Sequence, residues 1–154
     1  GFQYVSLENL LKKSDVISIH VPYNPQTHHL INKNNIGLIK PGAVLINTAR
    51  GGLVETEALV LALQKGILAG VGLDVLEEEG ETKDEMKFLS MMGDRGADLR
   101  VVLENNILMK MPNVLITPHI AFNSQEALQR ILNMTLESIK GFLMRKPINL
   151  VPVK

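Results

Sequence analysis

The sequence contains no cysteine, few aromatic residues and no net charge. The absence of cysteine excludes a disulfide framework, a cysteine-ligated zinc site and thiol catalysis, and it is typical of a cytoplasmic protein. The 16 Lys and Arg residues balance the 16 Asp and Glu residues, so no overall field would attract nucleic acid or an acidic membrane. We therefore expect a cytoplasmic protein whose partners are neither nucleic acids nor membranes.

Long apolar runs and targeting signals are also missing. No run approaches the roughly 18 residues that a membrane-spanning helix requires. The first residues, GFQYVSLENLLKKSD, lack the basic-then-apolar order of a signal peptide. They also lack an initiator Met, which leads us to expect a piece of a longer chain.

The sequence does contain enough apolar material for a core, 45% of its 154 residues, in runs that alternate with helical patterns. The runs predict strands at residues 16–21, 43–48, 68–75 and 114–120. The 3.6-residue periodicity predicts helices at 7–14 (capped by Ser6), 32–39 (capped by Asn32), 56–65 (ended by Gly66) and 123–145 (with Asn123 and Glu126 as a capping box). Strands that are apolar on both faces and joined by helices indicate an α/β fold with a parallel sheet covered on both sides.

One segment breaks this alternation. Residues 77–106, EEEGETKDEMKFLSMMGDRGADLRVVLENN, are acidic and only partly periodic. We interpret residues 80–111 as an insertion that forms a solvated surface segment carrying a helix or two.

Ligands of parallel α/β sheets bind where the strands reach their carboxyl ends. The residues at these ends each have an ordinary structural explanation when taken alone. Arg50 could be a surface arginine beside a turn, Asp74 a turn or cap residue, and His119 a core histidine bonded to the backbone. One of the three carboxylates at residues 77–79 could simply be solvated surface charge.

Together, an arginine, a carboxylate and a histidine at one sheet edge favour the reduction of a 2-oxo acid or the reverse oxidation. Arg50 offers a planar, bidentate cation for the substrate carboxylate, with Gly51 and Gly52 expected to let the backbone turn away behind it. His119 titrates near neutrality and can protonate the carbonyl oxygen as hydride reaches the carbon. A neighbouring carboxylate would hold the imidazole in one tautomer. Since side chains cannot supply hydride, the reaction requires a redox cofactor.

Several runs carry a family resemblance. They are SDVISIHVP, INKNNIGLIKPGAVLINTARGGLVETEAL, LAGVGLDVLEEE and NVLITPHIAFNSQEAL. In order and content they resemble the NAD-dependent D-isomer-specific 2-hydroxyacid dehydrogenases, and within that family the D-lactate dehydrogenase-like members. The resemblance covers nearly the whole chain outside the insertion.

The resemblance implies a role for each matching residue. It makes Arg50 the binder of the substrate carboxylate and carbonyl, His119 the proton donor or acceptor, and Glu79 the carboxylate paired with the histidine. It implies that NAD is contacted by Val21, Pro22 and Thr27 on the adenosine side, and by Thr48, Ala49 and Asp74 beside the nicotinamide. It places Phe122 against the substrate, and it implies no metal.

The sequence departs from the family at two places. Asn123 stands where lactate-type members often have Tyr, and Gly80 follows Glu79 where many relatives have Pro. Two alternative functions remain beside the dehydrogenase. One is a corepressor-like protein that senses NAD(H) without catalysis, because such family members keep the three catalytic residues. The other is a formate dehydrogenase, although these usually have Gln at the position of Glu79.

A glycine-rich pyrophosphate loop, G-x-G-x-x-G, does not occur in the sequence. In the family it precedes the region that this chain matches. We therefore expect a Rossmann-like nucleotide-binding domain without its first βαβ unit, with one open sheet edge and one uncovered apolar face. We assign residues 1–120 to this domain and residues 121–154 to a helix and tail that return to a substrate domain. The resemblance also implies a homodimer, and we expect this chain alone to be inactive.

Overall fold

The computed structural model describes residues 1–78 and 96–151. Its centre is a four-stranded sheet, parallel throughout and ordered β1-β2-β3-β4. The strands are β1 (Val16–Ile19), β2 (Ala43–Asn47), β3 (Leu68–Leu73) and β4 (Val114–Ile116). The predicted parallel α/β sheet is confirmed.

Each strand ends earlier than its apolar run predicted. β1 ends at Ile19, three residues before Pro22, and β4 ends at Ile116, two residues before Pro118. Proline cannot donate a hydrogen bond to a neighbouring strand. β2 ends at Asn47, whose side-chain amide donates to the Arg50 carbonyl and so closes a turn. The residues that follow the strands consequently lie in loops at the carboxyl edge of the sheet.

Four α-helices lie in the described part of the chain. They are α1 (Leu7–Lys13), α2 (Thr56–Gln64), α3 (Gly96–Lys110) and α4 (Gln125–Leu143). Ser6 caps α1 as predicted, because its hydroxyl accepts from the Asn9 N–H at 3.3 Å. Gly66 follows α2 with a φ of 68°, the left-handed conformation that glycine adopts at helix ends.

Two predicted helix starts are wrong. The segment after Asn32 forms only a short 3₁₀ helix, Ile36–Leu38, because the Asn32 side chain accepts from the Asn34 N–H and donates to the His29 carbonyl, which makes a turn. The last helix is capped by Ser124, whose hydroxyl accepts from the Ala127 N–H at 3.2 Å. The capping box of Asn123 and Glu126 does not form, since Ser124 takes the cap position.

The core lies on one face of the sheet. From the strands it takes Ile17, Ile19, Leu45, Val71 and Leu73, and from α2 it takes Ala58, Leu59, Ala62 and Leu63. On the opposite face Val16 is 58% and Leu115 69% exposed, and a shallow depression of 450 Å³ runs over Val44 and Ile46. Within the described part of residues 1–119 the sheet is covered on one side only. This agrees with the expectation of an uncovered apolar face, whereas the expectation of a sheet covered on both sides is wrong for these residues.

The second half of the insertion belongs to the core. Leu108 of α3 is 1% exposed and packs in the main cluster, and Asn105 is fully buried. The prediction of a solvated segment is therefore wrong for α3, because its buried face packs against α2 and β4. Residues 79–95, which include the rest of the insertion and Glu79, lie outside the described residues.

The chain divides into two units, Gly1–His119 and Ile120–Lys154. The first contains the sheet with α1, α2 and α3. In the second, the residues after α4 fold back on that helix: Asn149 Nδ2 donates to Ser138 Oγ at 3.1 Å. A Cβ on Gly141 would lie 2.8 Å from the Lys146 carbonyl oxygen, so the glycine permits this close return.

We predict that Leu45→Ala lowers the free energy of unfolding by about 3 kcal/mol, because it leaves a cavity where a fully buried side chain packs. Leu115→Ala is the matched control, the same change in the same sheet at a side chain that is 69% exposed. We expect the control to cost about 0.5 kcal/mol or less. Urea denaturation followed by circular dichroism measures both, and equal losses would contradict a one-sided core.

Candidate active site

The strand register brings the ends of β2, β3 and β4 to one level. Asn47 of β2 lies opposite Leu73 of β3, and Leu73 lies opposite Ile116 of β4. Because the strands are parallel and adjacent, the segments after them leave the sheet side by side. These segments carry Arg50 after β2, Asp74 after β3 and His119 after β4.

Asn47 shapes the turn that carries Arg50. It is 1% exposed, its Nδ2 donates to the Arg50 carbonyl at 2.9 Å, and its Oδ1 accepts from the Ala49 N–H at 3.1 Å. Its own carbonyl accepts from the Asp74 N–H at 2.9 Å. Asn47 was not predicted as a site residue, although a polar residue that closes a buried strand is a sequence signal for such a turn.

The Arg50 guanidinium is exposed at the end of this turn, with Nη1 donating to the Ala49 carbonyl at 2.6 Å. The Arg50 backbone is extended (φ −149°, ψ 143°), and a 3₁₀ turn, Gly51–Leu53, follows it. The side chain therefore extends from a rigidly closed turn at the sheet edge.

The two glycines after Arg50 allow neighbouring atoms to approach the backbone closely. The backbone turns here as expected, into the 3₁₀ turn, but neither glycine has a positive φ, so the turn does not depend on the conformational freedom of glycine. A Cβ on Gly51 would lie 2.1 Å from the carbonyl carbon and oxygen of Leu76, and one on Gly52 would lie 2.8 Å from Cε2 of Tyr23. Gly51 thus lets the Arg50 turn touch the backbone of the loop that follows β3.

Asp74 begins that loop. It is 3% exposed, and its Oδ1 accepts a hydrogen bond from the Thr117 hydroxyl. The Thr117 N–H in turn donates to the Leu73 carbonyl at 2.9 Å. Asp74 and Thr117 therefore join the ends of β3 and β4 just before His119.

His119 is half-buried and has a φ of 56°, and its N–H donates to the Thr117 carbonyl at 3.0 Å. Two more non-glycine residues of this region, His29 (φ 49°) and Glu78 (φ 53°), share the left-handed conformation. Such conformations cost about 1–3 kcal/mol each and cluster at functional sites. The backbone strain at the carboxyl edge supports its interpretation as the active site.

The other predicted site residues have different placements. Val21 and Pro22 are exposed after β1, and Thr27 fixes their loop by donating from Oγ1 to the Pro22 carbonyl at 2.7 Å. Thr48 is exposed and Ala49 is half-buried beside Arg50. Phe122 belongs to the second unit and is 54% exposed. Glu79 lies outside the described residues.

A hydrogen-bonded cluster that sequence reasoning missed lies behind Arg50. His29 Nε2 is 2.5 Å from Glu77 Oε1, and Glu77 Oε2 accepts from Thr56 Oγ1 at 2.7 Å and from the Thr56 N–H at 3.1 Å. The Glu77 side chain is 11% exposed, so it is not solvated charge. The contact joins residues 48 positions apart, and no local pattern indicates it.

The segment around His29 is docked on the Arg50 turn. The Ile31 N–H donates to the Leu53 carbonyl at 3.1 Å, and Glu55 accepts from the Lys33 N–H at 2.8 Å. Partial burial acts to raise the pKa of the Glu55 carboxyl, but the Lys33 N–H, the Lys33 ammonium and His29 outweigh it and lower that pKa below its usual value. Glu55 is therefore a stable anion that anchors this segment.

A cavity of 210 Å³ opens beside Arg50. Its walls include Tyr23, His28, Arg50 and Glu78. The Tyr23 hydroxyl and His28 Nδ1 are 2.9 Å apart, and the His28 ring stacks on that of His29. Within the described ranges, no group of three or more His, Cys, Asp or Glu side chains could hold a metal ion, and no helix is long and apolar enough to cross a membrane.

Comparison with known proteins identifies clear relatives. The family model described as D-isomer specific 2-hydroxyacid dehydrogenase, NAD binding domain, matches residues 1–121. The chain is 40% identical over 147 residues to 2-hydroxyacid dehydrogenase A of Aspergillus oryzae, which covers 94% of this chain and 39% of the relative. It is also 40% identical over 144 residues to the D-2-hydroxyacid dehydrogenase (NAD+) of Lacticaseibacillus paracasei, with coverages of 94% and 41%.

Solved structures agree with these relatives. D-2-hydroxyisocaproate dehydrogenase superposes with a TM-score of 0.81 at 38% identity, over 96% of this chain and 42% of that one. D-lactate dehydrogenase from Aquifex aeolicus, complexed with NAD and lactic acid, superposes with a TM-score of 0.79 at 40% identity, over 98% and 45%. The chain thus spans less than half the length of each of these relatives.

We predict that Gly51→Ala disrupts the contact between the Arg50 turn and the loop after β3. Because the added methyl group would meet rigid backbone at 2.1 Å, we expect a loss of about 2–3 kcal/mol in the free energy of unfolding. Gly37→Ala is the matched control, since a Cβ there meets no described atom within 4 Å. Chemical denaturation compares the two, and a Gly51→Ala variant as stable as the control would refute the close packing.

Proposed function

The chain belongs to the family of D-isomer specific 2-hydroxyacid dehydrogenases, and we propose that the full-length protein transfers hydride between NAD and a 2-oxo or 2-hydroxy acid. The observation that carries the proposal is that β2, β3 and β4 end at the same level of the sheet. The segments after these strands, which carry Arg50, Asp74 and His119, therefore leave the sheet side by side. An anion binder and a proton donor at one edge suit the reduction of a charged carbonyl compound.

Arg50 binds the substrate in this proposal. Its exposed guanidinium can form two parallel hydrogen bonds with a carboxylate, a geometry that lysine cannot reproduce. The turn that Asn47 closes holds the Arg50 backbone, so the point from which the side chain extends is fixed before the substrate binds. Preorganisation of this kind lowers the cost of orienting the substrate.

His119 exchanges the proton. As hydride arrives at the carbonyl carbon, the imidazolium donates a proton to the oxygen, and in the reverse direction the neutral ring accepts it. Glu79, by family resemblance, accepts a hydrogen bond from the far ring nitrogen and stabilises the imidazolium. The described residues that precede it, Leu76 and Glu77, touch Gly51.

NAD fits the residues at this edge in part. When bound, the reduced cofactor supplies the hydride. At the nicotinamide end, beside Thr48 and Ala49, Asp74 offers a carboxylate acceptor for the carboxamide, held in place by Thr117. At the adenosine end, Val21 and Pro22 present exposed apolar surface on a loop that Thr27 fixes. The glycine-rich loop for the pyrophosphate is not part of this sequence.

A 2-oxo acid is the proposed substrate class. Relatives that are 38% identical are named glyoxylate reductase and glycerate dehydrogenase, and a structural neighbour holds lactic acid. Phe122 is proposed as the side chain that contacts the substrate body.

Domain organisation and assembly complete the proposal. We propose that residues 121–154 return to a substrate-binding domain, which is supported by the apolar residues that α4 exposes, Leu128, Ile131, Leu132, Leu136, Ile139 and Phe142. A cytoplasmic homodimer is proposed from family membership and from the absence of cysteine.

In the full-length protein we expect Arg50→Lys to lower kcat/KM for the 2-oxo acid by about 100-fold, because a charge-assisted bidentate pair becomes a single contact. The KM for NADH should change little. Arg100→Lys, an exposed arginine of α3, is the matched control and should behave as the parent. Steady-state oxidation of NADH provides the rates, and equal kcat/KM values for both variants would remove Arg50 from the site.

For His119→Gln we expect kcat to fall by about 10²–10⁴-fold, because the general acid is lost. NADH binding, measured by fluorescence titration, should be retained and thereby separates catalysis from folding. Undiminished turnover in this variant would rule out the mechanism. A parent protein that binds NADH but reduces none of a panel of 2-oxo acids would instead favour the NAD(H)-sensing alternative.

A further inference from the structure

His29 connects the two loops that form the proposed site. Its N–H donates to the Gly52 carbonyl at 2.8 Å, in the turn that carries Arg50. Its ring lies 2.5 Å from the carboxylate of Glu77, in the loop after β3. One residue therefore bonds the arginine turn through its backbone and the opposite loop through its side chain.

Glu77 forms hydrogen bonds with three different segments of the chain. Besides His29, its carboxylate accepts two hydrogen bonds from Thr56, the first residue of α2. Its carbonyl accepts from Asn105 Nδ2 at 2.9 Å, a fully buried side chain of α3. Because a carboxylate only accepts hydrogen bonds, the His29 Nε2 atom carries the proton in this contact.

The position of Glu77 determines the geometry of the site. The Leu76–Glu77 backbone touches Gly51, the residue after Arg50. The next residue, Glu78, has a left-handed backbone and lines the 210 Å³ cavity together with Arg50. A shift of the Glu77 side chain would therefore change the distance between the Arg50 turn and the loop opposite it.

His29 itself adopts a conformation that needs support. Its φ of 49° is unusual for a residue other than glycine. It is maintained by the bond to Gly52 and by the Asn32 side chain, which donates to the His29 carbonyl at 2.8 Å. This backbone conformation directs the His29 ring to Glu77 while its N–H bonds the arginine turn.

From these contacts we propose that His29 and Glu77 are positioning residues, which fix the loop after β3 against the Arg50 turn. The inference rests on the proposed reduction of 2-oxo acids at this site. Neither residue is assigned contact with the substrate or the cofactor. Their effect on the rate comes through the alignment of Arg50 with the loop that faces it.

The kinetic test uses the full-length protein with His29→Ala, His29→Gln and Glu77→Gln. Since a misplacement of about 1 Å can cost 10²-fold in rate, we expect kcat to fall at least about tenfold in His29→Ala. Glutamine at position 29 retains a donor for Glu77 and should restore kcat to within about threefold of the parent. Glu77→Gln loses the anionic acceptor and should also lower kcat, with the KM for NADH unchanged in all three.

The matched control is Arg100→Ala. It removes the ion pairs that the exposed Arg100 side chain makes with Glu57 of α2 and Glu104 of α3, and it should leave kcat and KM unchanged. A kcat for His29→Ala within twofold of the parent would overturn the proposal. So would a loss in His29→Ala that glutamine does not restore.

A second measurement does not depend on turnover. Hydrogen exchange of the Leu76, Glu77, Glu78 and Thr56 amides reports the local opening of the loop. We expect exchange to be at least about tenfold faster in His29→Ala, and parental in His29→Gln and Arg100→Ala. Unchanged hydrogen exchange in His29→Ala would refute the positioning role, whatever the activity of the variant. If the parent protein reduces no 2-oxo acid, the proposed function is refuted, and hydrogen exchange alone decides whether His29 and Glu77 position the loop.

Discussion

The backbone contact between Gly51 and Leu76–Glu77 is the constraint on which the proposed site depends. It brings the turn after β2 and the loop after β3 so close that any side chain at position 51 would overlap backbone. Arg50 precedes one partner of the contact and Glu78 follows the other. Asn47 closes the turn on one side, and Asn105 and Thr56 hold the loop on the other. The sheet itself only has to deliver both segments to the same edge.

The groups that build the site differ from the groups that act in it. Asn47, Thr56 and Asn105 are buried and neutral, and each satisfies backbone or carboxylate groups that would otherwise be costly to bury. Arg50 is exposed and His119 only half-buried, so both remain accessible to a ligand. A rigid, hydrogen-bonded framework beneath accessible charged groups is the arrangement that preorganised catalysis requires.

The fold was largely predictable, because short apolar runs separated by periodic helical segments determine a parallel sheet. The common edge of Arg50 and His119 followed from the same pattern. The His29–Glu77 contact could not be predicted, because it joins residues 48 positions apart that no periodicity relates. Ser124 and Asn123 are equally suitable caps by residue type, and only the path of the chain selects between them. The close packing of Gly51 was not predicted, because a sequence does not show which backbone atoms lie next to a glycine.

The left-handed backbone at His29, Glu78 and His119 has a consequence for protein engineering. At such positions glycine or asparagine relieves strain, so a stability-driven redesign would favour replacing all three residues. Each replacement would relieve backbone strain while removing a side chain from this edge of the sheet, and at His29 it would also remove the contact with Glu77. This edge of the sheet is therefore where a trade-off between robustness and activity is concentrated, and a consensus or thermostabilised variant should retain these residues.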